Sequence, residues 1–359
     1  MSIWQWAADL PSVPPAARLT LGEGNTPLVR SRSIGPRAGL NELYFKLETA
    51  NPSNSYKDRF AVVAVSDAVA QGKKTIVATS SGNTGAALAA YSAAAGIRCE
   101  ITVVEQAPAD KLRQMLAYGA VLYKVAGFGL NPEVDRRVFS TLVEQGNQPD
   151  KMFCISAFRY CPVGMSGVKT IAYELAGQLP EPASHVFCCA GGGGMTYAVG
   201  QGFAELVASG RLARNPAIEC VQPQGNATIA GPLRRHAERA ESVACTTRIS
   251  GLQVPTVIDG DEALRVCAAS GGRGHLVTDE EVWRLQWRLA SEEGIFCEPA
   301  AAVPLAGALR AHKAGELKPG ATVCLVTGSG FKDLAAVDRM NGDRAAETCD
   351  IETWLNKMR

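Results

Sequence analysis

Short apolar runs alternate with longer segments along most of this chain. Eight runs are β-branched or continuously apolar, and they predict strands because they are too short for a typical helix. Several lack strict alternation, as expected for parallel strands that are covered on both faces. The predicted strands are residues 44–48, 75–79, 100–105, 121–126, 152–156, 185–190, 219–223 and 322–327.

Longer segments with helix-compatible patterns separate the predicted strands. This repeated alternation predicts an α/β fold with doubly wound parallel sheets. Ligands of such sheets bind beyond the carboxyl ends of the strands, so the polar, glycine-rich turns that follow Thr79, Ala190 and Thr327 are the candidate site. The predicted helices are residues 59–71, 85–95, 109–118, 132–145, 168–177, 197–209, 279–293 and 300–314.

Composition narrows the class of protein. At 359 residues with 47% hydrophobic content, the chain is long enough for roughly two domains. A net charge of +1 without a long basic run disfavours a nucleic-acid partner. The N-terminus lacks the pattern of a signal peptide, and no apolar segment reaches the length of about 20 residues that a membrane helix needs. Eleven scattered cysteines without zinc-like spacing are interpreted as reduced thiols, so we expect a cytoplasmic protein without a metal site.

Four consecutive glycines follow the apolar run at 185–190. Gly191 to Gly194 lead into a helix predicted to begin near Met195. Bare backbone N–H groups and a helix N-terminus together suit a phosphate. No Lys-Ser/Thr pair follows, which excludes a Walker loop, and no clear dinucleotide fingerprint is present. A compact cofactor phosphate is therefore favoured, with an ordinary strand-to-helix turn as the alternative.

Four polar side chains follow the run at 75–79. Ser80, Ser81, Asn83 and Thr84 lie where a predicted strand turns into a helix. Hydroxyls, an amide and helix-terminal N–H groups make a neutral pocket that suits a substrate carboxylate. Helix capping is the alternative, although one residue suffices for a cap.

Lys57 lies at the start of an apolar helical segment. The helix dipole disfavours an ammonium there, which helps to supply the neutral amine that attacks an aldehyde. A solvated lysine paired with Asp58 or a nearby acid is the alternative, and this segment alone favours it. Thr327 and Ser329 end another buried run with neutral hydroxyls, which can hydrogen-bond a pyridine nitrogen without keeping it protonated. Helix capping is again the alternative.

Taken in order, these segments resemble the fold-type II pyridoxal-phosphate (PLP) enzymes of the tryptophan synthase β superfamily, and most closely the threonine synthase-like group. The resemblance covers roughly residues 20–335, and it implies two doubly wound parallel-sheet domains with PLP in the cleft between them. We expect a larger PLP-binding domain from residues 1–55 plus 165–345, a smaller mobile domain for the substrate carboxylate from 56–164, and a C-terminal arm at 346–359. The segments are LGEGNTPLVR, NPSNSYKDRF, TSSGNTGAALAAYSAAAGI, the glycine loop, GIFCEPAAAVPLAGAL and TGSGFKD.

The resemblance also implies a role for each candidate residue. Lys57 resembles the lysine that holds PLP as a Schiff base, and Asn83 the residue that bonds the PLP 3′-oxygen. Thr327, with Ser329 nearby, would face the ring nitrogen. Glu298 matches an acid beside the cofactor, although Glu298-Pro299 also suits a helix start. The other implied contacts are Gly191, Gly192, Gly193, Gly194 and Met195 to the PLP phosphate, and Ser80, Ser81 and Thr84 to the substrate carboxylate.

Two departures from the threonine synthase pattern concern the substrate. The phosphate loop reads GGGGM rather than GNAGN, closer to the serine/threonine dehydratases. The stretch similar to YRLEGQKT appears as FRYCPVGMSGVKT, which has extra residues around 160–166 and lacks the glutamate. Ser156 and Arg159 still match positions that contact the substrate's own phosphate, and a structural ion pair is the alternative for Arg159.

The function implied by the resemblance is PLP-dependent elimination or replacement on an amino acid with a β or γ leaving group. The first expectation is a lyase of amino-acid biosynthesis that converts O-phosphohomoserine and water into threonine and phosphate. The second is β-replacement on O-phosphoserine, as in cysteate or cysteine synthases, and the third is deamination of serine or threonine. A PLP-binding carrier or regulator is the alternative of another class. We expect an anionic amino-acid substrate, no nucleic-acid or membrane partner, and a homodimer.

Overall fold

Two sheets form the framework of the computed structural model, which describes residues 2–359. The larger has six strands in the order β1-β2-β10-β7-β8-β9, and all its pairs are parallel except β1 with β2. The smaller has four parallel strands in the order β5-β4-β3-β6. The strands are β1 Leu28–Arg30, β2 Leu43–Leu47, β3 Thr75–Thr79, β4 Arg98–Val103, β5 Val121–Lys124, β6 Lys151–Phe153, β7 His185–Cys189, β8 Ala217–Pro223, β9 Gly274–Val277 and β10 Thr322–Val326.

Helices cover the sheets and bury their strands. Every residue of β7, β8 and β10 is buried, which explains why these strands read as continuous apolar runs. No helix among residues 2–359 has the length and apolar character to cross a bilayer. The helices are α1 Ile34–Ala38, α2 Lys57–Ala70, α3 Asn83–Ala95, α4 Ala109–Ala117, α5 Pro132–Gly146, α6 Pro162–Ser166, α7 Thr170–Gln178, α8 Gly194–Ala208, α9 Ala230–Arg234, α10 Gly260–Ala269, α11 Asp279–Glu293, α12 Pro299–Lys313, α13 Leu334–Asn341 and α14 Ile351–Lys357.

The predicted α/β class with two parallel sheets is confirmed, and most predicted elements lie within a few residues of the observed ones. Two strands were missed: β1 has only three residues, and β9 has four and begins with a glycine. The strand predicted at 152–156 ends earlier, at Phe153, so Ser156 lies in a loop. The smaller sheet lies within residues 75–153, inside the predicted smaller domain, whose exact bounds stay a prediction.

A buried ionic network holds the first turn of α2 in place. The Arg59 guanidinium donates from Nε to Glu48 Oε2 at 2.7 Å and from Nη1 to Glu174 Oε1 at 2.6 Å. Lys46 Nζ donates to the other Glu174 oxygen at 2.6 Å. Although burial opposes it, the adjacent Arg59 lowers the pKa of the Glu174 carboxyl to about 2. The network ties α2 to β2 and α7, and so fixes the helix that begins with Lys57.

Candidate active site

A cavity of about 800 Å³ lies beyond the carboxyl ends of β3, β6, β7 and β10. This is the position where parallel α/β sheets bind ligands, and the volume is typical of small-molecule sites. It brings together segments that are far apart in the sequence. The predicted site residues that line it are Lys57, Ser80, Ser81, Asn83, Thr84, Ser156, Gly191, Gly192, Gly193, Gly194, Met195 and Thr327.

Two predicted site residues lie outside the wall of this cavity. Arg159 is exposed, and its guanidinium carbon lies 5.7 Å from the centroid of the Tyr160 ring. Its guanidinium makes no ion pair with any of residues 2–359. The structural ion pair considered as the alternative role of Arg159 is therefore not found among these residues. Ser329 is buried, and its hydroxyl accepts a hydrogen bond from the backbone N–H of Phe331. The binding roles of Arg159 and Ser329 therefore stay predictions.

Lys57 begins α2, and its amine lies in the cavity. Its Nζ donates to Ser156 Oγ at 2.6 Å and lies 4.5 Å from the centroid of the Tyr56 ring. Asp58 does not pair with it, because the Asp58 carboxylate accepts from the N–H and hydroxyl of Ser53. Burial lowers the pKa of the Lys57 amine to about 8. A neutral, nucleophilic amine is therefore accessible near neutral pH.

This lowered pKa sets the pH dependence of cofactor capture. We expect the rate at which cofactor-free protein bonds PLP to rise with pH around a midpoint near 8, because only the neutral amine attacks an aldehyde. Stopped-flow absorbance after mixing protein with PLP at a series of pH values measures it. A rate that keeps climbing towards the ordinary lysine value of 10.5 would show that the amine is not perturbed by burial.

The glycine loop forms a cradle of bare backbone. The N–H groups of Gly191, Gly192 and Gly193 donate to no protein acceptor within residues 2–359. Gly193 has a φ of 97°, and a Cβ there would lie 2.8 Å from the carbonyl oxygen of Asp259, so only glycine fits. Together with the N-terminus of α8, these free donors make an anion site of the size of a phosphate.

Asp259 connects this cradle to the loop after β6. Its N–H donates to Gly192 O at 2.9 Å, while its carboxylate accepts from the N–H groups of Phe158 and Arg159 at 2.8 and 3.1 Å. Burial raises the pKa of this carboxyl, and the two N–H donors partly offset the effect. The sequence did not reveal this role, because an aspartate before Gly-Asp-Glu at a helix start resembles a common cap. Asp259 does occupy the cap position of α10, but its carboxylate makes no capping bond.

We expect Asp259→Asn to lower the free energy of unfolding by about 1–3 kcal/mol, because an amide can accept from only one of the two N–H groups and leaves the other unsatisfied. Urea denaturation of the PLP-loaded protein measures the change. Glu262→Gln, which removes an exposed partner of Arg265, is the matched control and is expected to stay within about 0.5 kcal/mol. Equal changes in the two variants would contradict the connecting role of Asp259.

Asn83 and Thr327 lie near Lys57 with different partners. Asn83 Nδ2 donates to Glu298 Oε1 at 2.9 Å, and burial raises the pKa of the Glu298 carboxyl to about 7. Glu298 precedes α12, but it makes no capping bond. The Thr327 hydroxyl is 4.0 Å from Cys189 Sγ, and burial raises the pKa of that thiol to about 12, so this part of the wall is neutral. Thr327 O also accepts from Tyr56 N–H, which holds β10 beside Lys57.

These residues fit PLP. The cradle provides unpartnered donors for a phosphate, Lys57 an amine for the aldehyde, and Asn83 and Thr327 an amide and a hydroxyl for polar atoms of the ring. The neutral wall at Thr327 and Cys189 agrees with the expectation of a ring nitrogen that is not held protonated.

Comparisons with known proteins also indicate pyridoxal phosphate as the cofactor. Residues 19–328 match the family described as pyridoxal-phosphate dependent enzymes. The chain is 32% identical to a threonine synthase of Methanocaldococcus jannaschii, over 98% of this chain and 85% of that protein. It is 33% identical to a threonine synthase of Halalkalibacterium halodurans, over 93% and 91%. The processed threonine deaminase isoform 2 of Solanum lycopersicum shares the fold, with a TM-score of 0.75 and 21% identity over 94% of this chain and 92% of that one.

Proposed function

Because the chain belongs to the family of pyridoxal-phosphate-dependent enzymes, as a threonine synthase-like carbon–oxygen lyase, we propose that it converts O-phosphohomoserine and water into threonine and phosphate. The observation that carries the choice of substrate is the likeness to threonine synthases over nearly the whole chain, with Lys57, Thr84 and Ser156 together in one cavity. In the overall reaction the γ carbon–oxygen bond breaks and phosphate leaves. The β carbon gains the hydroxyl of water, and the γ carbon becomes a methyl group.

PLP, when bound, supplies an aldehyde for the substrate amine and a ring that delocalises the electron pair left at the α carbon. The protein must position the substrate and move its protons. The neutral amine of Lys57 takes the α proton of the substrate. The lowered pKa of this amine makes its neutral form available near neutral pH. Ser156 Oγ accepts from this amine and lies 2.8 Å from Thr84 Oγ1, so the two hydroxyls orient it.

The substrate carboxylate is assigned to the turn between β3 and α3. Ser80, Ser81 and Thr84 lie on the same cavity wall, at a helix N-terminus that favours an anion. With the carboxylate there and the PLP phosphate at Gly191–Gly194, the α carbon of the substrate would lie between them, close to Lys57. We propose that the smaller domain, residues 56–164, closes over this assembly and excludes water until the phosphate has left.

The decisive assay offers one substrate at a time to the PLP-loaded protein. O-Phosphohomoserine is expected to give equal amounts of threonine and phosphate, measured by chromatography and a phosphate assay. Phosphate and cysteate or cysteine formed from O-phosphoserine when sulfite or sulfide is added would favour β-replacement, and a 2-keto acid formed from L-threonine would favour deamination, the reaction of the dehydratases that the glycine loop resembles. No product from any of the three would favour a PLP carrier or regulator.

Two further proposals concern the setting of the enzyme. Nine of its eleven cysteines are buried and all are free, which suits the reducing cytoplasm. Helix α14 presents exposed Ile351, Trp354 and Leu355, which supports a contact with a second copy in a homodimer. Light scattering coupled to size-exclusion chromatography would give the subunit number.

A further inference from the structure

Two arginines at the mouth of the cavity share one aromatic ring. The guanidinium carbons of Arg248 and Arg339 lie 4.7 and 4.5 Å from the centroid of the Trp283 ring. Both arginines line the cavity and both are exposed. Neither guanidinium makes a hydrogen bond or an ion pair to another residue of the described chain. Two like charges therefore stack on one ring at the cavity wall without a counter-ion among the described residues.

The position of Arg248 is fixed from both sides. Asp279, the first residue of α11, accepts from the Arg248 N–H at 2.7 Å and from the Thr247 hydroxyl at 2.6 Å. Trp283, one turn along the same helix, holds the guanidinium. The carboxylate of Asp279 is thus used by the Arg248 N–H and the Thr247 hydroxyl, which leaves the charge of the Arg248 guanidinium without an acidic partner at the cavity wall.

A third cation, Lys111, also lines the cavity. Lys111, in the first turn of α4, donates to Ser250 Oγ and lies 3.4 Å from Asp333 Oδ2. Its ammonium group has three donors, so one is left for a ligand. Of these three cations of the cavity wall, only Lys111 has an acidic partner, Asp333, among the described residues.

We propose that Lys111, Arg248 and Arg339 form a second anion site, which binds the phosphate ester of the amino-acid substrate and then the released phosphate. The inference rests on the proposed function, because it assigns to this site the part of the substrate remote from its amine. The proposal gives Lys111, Arg248 and Arg339 the role that the sequence resemblance gave to Arg159, because Arg159 does not line the cavity. A guanidinium pair suits a phosphate because each presents several N–H donors in a fixed plane.

Inorganic phosphate is the probe, titrated calorimetrically into PLP-loaded protein so that the cofactor already fills the glycine cradle. The double variant Arg248→Gln/Arg339→Gln is expected to raise the dissociation constant for phosphate about tenfold, since it removes two partly exposed charge contacts. Lys111→Met should raise it as well. The KM for O-phosphohomoserine should rise with it, whereas the KM for an unphosphorylated amino acid should not. The calorimetric titration and the KM values together distinguish binding of free phosphate from binding of the substrate's phosphate ester.

Arg344→Gln is the matched control, because its guanidinium stacks on Trp287 of the same helix at 5.5 Å but does not line the cavity. Unchanged cofactor absorbance shows that each variant is folded. An unchanged dissociation constant in the double variant, or a loss of phosphate binding on Arg159→Ala alone, would overturn the inference. Because binding is measured without turnover, failure of the product assay would refute the proposed reaction and leave this result interpretable.

Discussion

Replacing Lys57 with alanine is expected to lower kcat by a factor of about 10² to 10⁴, the range for loss of a positioned general base. The cavity offers no ready substitute. Lys332, another half-buried lysine of the wall, donates to Gln114 Oε1 at 2.6 Å, and Lys111 is engaged with Ser250 and Asp333. Steady-state phosphate release from O-phosphohomoserine measures the effect, and the absorbance of bound PLP should change in the same variant.

Lys74→Ala, at an exposed position outside the cavity, is the control and should leave kcat unchanged. Added methylamine should restore part of the activity of Lys57→Ala, because it replaces the missing amine, but it should not help Lys57→Arg, whose side chain fills the space and stays charged. An undiminished kcat in Lys57→Ala would contradict the assignment of the base.

Arg59→Met is expected to lower the free energy of unfolding by about 3–5 kcal/mol, because it leaves Glu48 and Glu174 buried without their shared cation. Urea denaturation measures the loss. Arg211→Gln, which breaks a more exposed pair with Asp9, is the control and should cost no more than about 1 kcal/mol.

The loss in Arg59→Met should also depend on pH. The pKa of Glu174 is lowered from 4.5 to about 2 in the folded chain, so its pairing stabilises the fold above the ordinary value and this contribution is lost as the pH falls towards 2. The difference between Arg59→Met and the unaltered chain should therefore narrow below a pH of about 4.5. A constant difference across that range would mean that the loss arises from packing rather than charge.

The parts of the site that lie at strand ends could be predicted from the sequence. Turn residues such as Ser80, Gly191 and Thr327 follow buried runs directly, and parallel strands bring their carboxyl ends to one edge of a sheet. The cofactor could be predicted from the order of the segments. The hydrogen bond between Lys57 and Ser156 could not be predicted from either segment alone.

The parts that depend on loops could not be predicted. Arg159 belongs to a loop with extra residues before α6, and sequence spacing does not say to which side such a side chain points. Asp259 bonds backbone groups about a hundred positions away, and its segment resembles an ordinary helix start. Arg248 and Arg339 both stack on Trp283, an arrangement that no local sequence pattern predicts.

The central claim is that Lys57 is the residue that bonds the coenzyme, and chemical trapping tests it most directly. Borohydride reduction of the PLP-loaded protein, followed by proteolysis and mass spectrometry, should show one modified lysine, in the peptide that contains Lys57. Label on Lys111 or Lys332, or no label on any lysine, would contradict the account.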